Sequence, residues 1–224
     1  MSPSLFFAVA GVIVTAAVAY REHAGQLAAR RSLLDRCVGV LRSASLAHGG
    51  DGFPILDGYW NGRFIRAELF PESMALRRLP QLWLKLTRIE VRTGLPEFSI
   101  LVRPSGTEFY SLTDGHTHTL RPPQGLAQEI VVRGSGPHAQ RLLDAVAPVL
   151  AKIFADPRIK EVAVTAKGLR LIWQAAEGQR GHHLLLRQCR FENAQVTPDA
   201  LAARLADLDR LNVAIEAARE VRAA

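Results

Sequence analysis

Leu82-Trp83-Leu84-Lys85-Leu86-Thr87-Arg88-Ile89-Glu90-Val91-Arg92 is the stretch from which the fold class is read. Leu82, Leu84 and Leu86 point one way and Lys85 and Thr87 the other, because successive side chains of an extended strand face opposite sides. One face is therefore buried and one wet, the pattern of an antiparallel sheet covered on one side only. The neighbouring runs Arg63–Phe70, Met74–Leu79, Phe98–Arg103 and Glu129–Arg133 alternate in part. Asn61-Gly62, Pro71, Pro80, Gly94-Leu95-Pro96 and Pro104-Ser105-Gly106 separate them, which predicts a set of short strands from Phe53 to Val132. Asn61-Gly62 has the residue types that a two-residue type I′ hairpin turn requires.

Toward the C-terminus, Leu142, Leu143, Val146, Val149, Leu150 and Ile153 fall on one face of a helix predicted from His138 to about Ala155, which Asp156-Pro157 ends. Strands are predicted over Glu161–Thr165, Gly168–Ala175 and His182–Phe191. A final helix begins near Thr197-Pro198-Asp199 and runs to about Val221, with Leu201, Leu205, Leu208, Leu211 and Ile215 as its apolar stripe.

Toward the N-terminus the pattern changes. Leu5–Tyr20 (LFFAVAGVIVTAAVAY) carries no charge and only one polar residue, Thr15. As a helix it is about 24 Å long at 1.5 Å per residue, a little short of the ~30 Å hydrocarbon core, so flanking residues must complete a crossing. Arg21, Arg30, Arg31 and Arg36 follow it and no Lys or Arg precedes it, which under the positive-inside rule places the rest of the chain in the cytoplasm of a bacterial-type inner (plasma) membrane. Ala17-Val18-Ala19 also fits a signal-peptidase site, and cleavage after Ala19 would instead yield a periplasmic or secreted protein. Leu27, Leu34 and Leu41 recur every seven residues in a stretch without proline. An amphipathic helix from Glu22 to about Ala47 is expected, with a homodimer through residues 24–41 as the sharper alternative. His48-Gly49-Gly50-Asp51-Gly52 is read as the boundary of the globular part.

The expected architecture is thus α+β: an N-terminal transmembrane helix (1–20), a membrane-proximal amphipathic helix (21–48) and an α+β domain (49–224). That domain holds an antiparallel β-sheet region, a helix, a three-stranded β-meander and a C-terminal helix. The 224 residues, 48% of them hydrophobic and 22% charged, can build such a core and exclude general disorder.

The formal charge of +7 is carried mostly by arginine, since only four of the 28 cations are lysines. Part of it follows the apolar run, and part lies between Arg63 and Arg103. Arg63, Arg66, Arg77, Arg78, Lys85, Arg88, Arg92 and Arg103, interleaved with Tyr59, Trp60, Phe64, Phe70 and Trp83, are the candidate contact for anionic lipid headgroups; a nucleic-acid face is the weaker alternative. His116-Thr117-His118 after Asp114 is the densest set of ligand-type residues. A His-x-His pair on a strand projects both rings to one face, but it lies in a loop-like stretch with only His182-His183 as further partners, so a metal-binding or enzymatic use is the alternative and not the expectation. Cys37 and Cys189 are too few and too far apart in the chain for a zinc cluster or disulfide framework, and both are read as buried structural residues. The chain holds no G-x-S-x-G, G-x-G-x-x-G, P-loop, H-E-x-x-H or C-x-x-C. The expected function is that of a non-enzymatic binding or scaffold module at a membrane surface, with no cofactor. A protein partner or anionic headgroups are the candidate ligands.

Overall fold

In the computed structural model the chain is described over residues 3–72, 79–126, 129–178, 191 and 194–223. Nine strands form one antiparallel sheet: β1 (Arg42–His48), β2 (Pro54–Trp60), β3 (Arg63–Glu72), β4 (Gln81–Ile89), β5 (Phe98–Val102), β6 (His118–Thr119), β7 (Ile130–Gly134), β8 (Ile159–Thr165) and β9 (Gly168–Glu177). Their order is β1-β2-β3-β4-β9-β8-β5-β7-β6. The α+β class is as expected, but the two strand groups are not separate regions, because β4 pairs with β9 along its whole length, Ile89 opposite Gly168 and Gln81 opposite Glu177. The predicted Met74–Leu79 strand falls mostly on residues 73–78, and the predicted His182–Phe191 strand on residues 179–190; both lie outside the described residues.

One sheet face is packed against helices α2 (Pro137–Phe154) and α3 (Pro198–Ala223). Leu82, Leu84 and Leu86 are fully buried there, as are Val162, Val164 and Leu171 from β8 and β9. They meet Leu143, Val146 and Leu150 of α2 and Leu201, Leu205, Leu211 and Ile215 of α3. Each such side chain contributes roughly 1.5–3 kcal/mol by leaving water. The β2–β3 turn carries Asn61 at φ 48° and Gly62 at φ 76°, the left-handed pair expected of the Asn-Gly hairpin.

The N-terminal part departs from expectation in two ways. Helix α1 spans Pro3–Arg31 without a break, but the predicted amphipathic helix does not continue to Ala47. It gives way to a 3₁₀ helix over Ser32–Val40 and then to β1. Leu34 and Cys37, and partly buried Val40, are three residues apart, which matches a helix of three residues per turn and turns them together into the core. Leu41 is buried at the junction, so the heptad residues Leu34 and Leu41 pack inside this chain, and no continuous helix presents residues 24–41 as a dimer seam. The Gly49–Gly52 cluster is the turn of the β1–β2 hairpin, so β1, ahead of that cluster, is already part of the sheet.

Near its end, helix α1 packs on the β1–β2 hairpin. Leu27 packs on Gly52, where a Cβ would come within 2.4 Å of the leucine, the Arg30 guanidinium lies 5.4 Å over the Phe53 ring, and Arg31 O accepts from His48 Nε2 at 3.2 Å. Residues 11–25 are exposed. Among the described residues no helix is long and apolar enough to cross a membrane, so the expected transmembrane anchor is not supported by the described part of α1.

Candidate functional site

Of the eight cations expected on one basic face, the six described ones are not gathered on one side of the sheet. Arg77 and Arg78 lie outside the described residues, and the other six fall on two sides of the sheet with partners of their own. Arg66 and Lys85 are on the face without helices. Arg66 grips Asp57 with two hydrogen bonds (Nε–Oδ1 2.9 Å, Nη2–Oδ2 2.7 Å), and Lys85 Nζ lies 2.7 Å from Glu68 Oε2. These are directly opposed cross-strand pairs, Asp57 with Arg66 and Glu68 with Lys85. Arg103 donates to Ile159 O at 3.1 Å. Arg63 and Arg88 fall on the helix face by strand alternation, and with Arg92 they converge on α3.

That convergence builds the most organised polar cleft on the helix side. Glu90 is its hub: Oε1 is 2.9 Å from Arg63 Nη1, and Oε2 is 3.0 Å from Arg88 Nη2 and 2.7 Å from Arg92 Nη2. Burial would push the Glu90 carboxyl up, but the hydrogen bond from Arg92 and the charges of Arg92, Arg88 and Arg63 hold it below the usual carboxylate range. From α3, Asp209 accepts from Arg88 Nη1 (3.0 Å), Trp60 Nε1 (2.8 Å) and Asn61 Nδ2 (2.8 Å), and Asn212 accepts from Arg92. Glu216 lies 3.0 Å from Arg92 Nη1 and 3.4 Å from Arg219 Nη1. The cleft between the β4–β5 connection and α3 measures about 490 Å³. Arg88 and Arg92 are 5% exposed, whereas Arg63 and Arg219 are 51% and 46% exposed and line its open side. Forked guanidinium groups fixed by a shared carboxylate are suited to holding an oxyanion.

A second polar cluster lies on the opposite face, beneath the β5–β6 connection. Glu72 accepts from Trp83 Nε1 (2.8 Å), Thr107 Oγ1 (3.0 Å) and Tyr110 OH (3.2 Å). Glu161, fully buried, accepts from Leu112 N (2.9 Å), Ser111 Oγ (3.2 Å) and Arg170 Nη2 (2.9 Å). Glu108 accepts from Ser105 N (2.6 Å), Gly106 N (2.9 Å) and Lys160 Nζ (2.7 Å), and Lys160 also donates to Arg103 O at 2.7 Å. Burial pushes Glu161 up against the pull of Arg170, and burial with the Glu72 and Glu108 charges pushes the Tyr110 phenol up. Each of the three carboxylates is tied to the connection by several donors, so the cluster acts as a clasp that holds residues 103–113 over Trp83, Ile172 and Phe70.

The His116 and His118 pair does not share a strand: His116 follows the 3₁₀ turn Thr113–Gly115, and only His118 belongs to two-residue β6. Asp114 is held by Arg133 at 3.3 Å, and among the described residues no group of three His, Cys, Asp or Glu is placed to hold a metal ion. His182, His183 and Cys189 lie outside the described residues. Cys37 is buried and donates to Val196 O at 3.2 Å, and desolvation raises its thiol to about 11.

Glu90 was readable from the sequence as a salt-bridge partner of these arginines, but the cleft's partners from α3 were not, although one signal was present. Asp209, Asn212 and Glu216 repeat at i, i+3 and i+7, a polar stripe beside the Leu201–Ile215 apolar one. No protein-family model, curated protein or solved structure matches the chain.

Proposed function

We propose that this protein is a non-enzymatic binding module held at a membrane by α1, its N-terminal helix. The observation that carries this is the exposure of that helix: Val12 is 70% exposed, Ile13 62% and Val14 62%, and residues 11–25 are all exposed. An exposed helix that is apolar on all sides is costly in water and stable in lipid. Among the described residues no helix is long and apolar enough to cross a membrane; the crossing is read from the uncharged run Leu5–Tyr20 of the sequence, with flanking residues completing it. Arg21, Arg30 and Arg31 at the far end of α1 favour a cytoplasmic position for the sheet domain.

Flotation of the full chain with vesicles of phosphatidylethanolamine and phosphatidylglycerol, followed by a carbonate wash, tests the proposal. The chain is expected to float and to resist the wash, and Val12→Asp with Val14→Asp to release it. A full chain that stays at the bottom of the gradient would falsify the tether. A reporter fused after Ala224 reads the side of the membrane, and activity of an export-dependent reporter would reverse the assigned orientation.

A further inference from the structure

We infer that the arginine cleft between the β4–β5 connection and α3 is a binding site for the oxyanion end, carboxylate or phosphate, of a small soluble molecule. The inference names the ligand class of the binding module proposed above and rests on that reading.

Three features point to an oxyanion. Three guanidinium groups (Arg63, Arg92, Arg219) and two carboxylates (Glu90, Glu216) line the cleft, which leaves one positive charge over in about 490 Å³, a size that suits a small ligand. Glu90 and Asp209 are each fixed by three donors and so hold the fork rigid. Glu216 is held differently: it is 43% exposed, its contact with Arg219 is a long 3.4 Å, and Arg92 Nη1, though buried and 3.0 Å away, makes no hydrogen bond among the described residues. A buried guanidinium nitrogen facing a loosely held carboxylate is under-satisfied, since charged donors in such surroundings normally find a well-aligned acceptor. Glu216 thus occupies the place of an incoming oxyanion. When it swings out, Arg92 and Arg219 present their forks to the ligand, with Arg63 on the opposite wall.

The position of the cleft favours a soluble ligand over a lipid headgroup. Helix α1 meets the sheet at His48, opposite Pro54, the first residue of β2. Arg63 pairs with Trp60, the last residue of β2, about 20 Å away along the strand at ~3.3 Å per residue.

Isothermal titration of the full chain in detergent with inorganic phosphate and with succinate, against chloride at matched ionic strength, tests the site. Saturable binding of at least one anion is expected, weakened about tenfold by Arg219→Ala through the loss of a charge-assisted hydrogen bond. Glu216→Ala is expected to bind more tightly than the parent chain, since the competing carboxylate is gone. No saturable binding of either anion overturns the inference, as does equal binding by Arg219→Ala or weaker binding by Glu216→Ala. Vesicles containing phosphatidic acid separate the two sources: enhanced flotation that needs Arg219 would assign the site to a headgroup and overturn the soluble ligand. Flotation on phosphatidylglycerol vesicles reads the tether independently, so loss of either property is told from loss of the other.

Discussion

Glu108 and Lys160 form an ion pair in the interior: Oε1 and Nζ are 2.7 Å apart, with the two side chains 4% and 5% exposed. The pair joins the β5–β6 connection to the bulged start of β8 and, with the Glu72 and Glu161 contacts, holds that connection on the sheet. Burial alone would raise the Glu108 carboxyl, but hydrogen bonds from Lys160 and from the Ser105 hydroxyl and amide, together with the Lys160 charge, bring it down to about 2. A carboxylate depressed on folding stabilises the folded state fully above its ordinary value of 4.5, and that contribution is lost as pH falls toward 2. The shift corresponds to about 3 kcal/mol. Acid titration of the thermal midpoint should show this loss between about pH 4.5 and 2, and Glu108→Gln should flatten it. At neutral pH the same substitution strands the Lys160 ammonium and should cost about 3–5 kcal/mol in urea unfolding.

Asp209 accepts three hydrogen bonds, from Trp60, Asn61 and Arg88, and so bonds α3 to the β2–β3 turn and to β4. Asp209→Ala leaves the buried Arg88 guanidinium with one carboxylate fewer. It should cost about 2–4 kcal/mol and change the emission of Trp60, read by denaturation followed through tryptophan fluorescence.

Gly168, at φ 139°, brings the β8–β9 turn against β4, where a Cβ would lie 1.9 Å from Arg88 O. That contact is with backbone, which has no rotamer by which to give way. Gly168→Ala should destabilise by about 2–4 kcal/mol, measured by the shift in urea midpoint. Gly62→Ala, at φ 76° with open space around its Cβ, meets backbone strain alone and should cost less.

Cys37 is fully buried with its thiol raised to about 11. In the folded chain at pH 8 its peptide should remain unmodified by iodoacetamide, as read by mass spectrometry, and should be alkylated once urea unfolds the core. Rapid native alkylation of Cys37 would show that the 3₁₀ segment Ser32–Val40 opens locally.

The residues that announced themselves in the sequence are those whose role is periodic. Leu82, Leu84 and Leu86 marked a strand with one apolar face, although Trp83 on the other face is buried too, Leu201 through Ile215 marked a helix with one apolar side, and Asn61-Gly62 a hairpin, because each pattern reflects a repeat within one element. Leu27, Leu34 and Leu41 misled for the same reason: a heptad repeat implies an α-helix only if the backbone stays α-helical. Burying Leu34 and Cys37 in the core was met instead by a change to three residues per turn. The arginines between Arg63 and Arg103 were visible as a charge excess, but which of them are free depends on carboxylates far along the chain. Arg88 is 121 residues from Asp209, and no local spacing encodes that meeting.

The sequence by itself determined the α+β class, the main helices, most strand positions and an uncharged apolar start, since local periodicity and side-chain chemistry suffice for these. Only the tertiary structure decided that the strands form one sheet, with β9 and β8 inserted between β4 and β5, and that the basic residues divide between its two faces. The reason lies in the pairing. Strand partners are chosen by which apolar faces can be buried together across the whole chain, and once β4 lies beside β9 the turn at Gly168 and the α3 side chains at Asp209 and Glu216 are brought to Arg88 and Arg92.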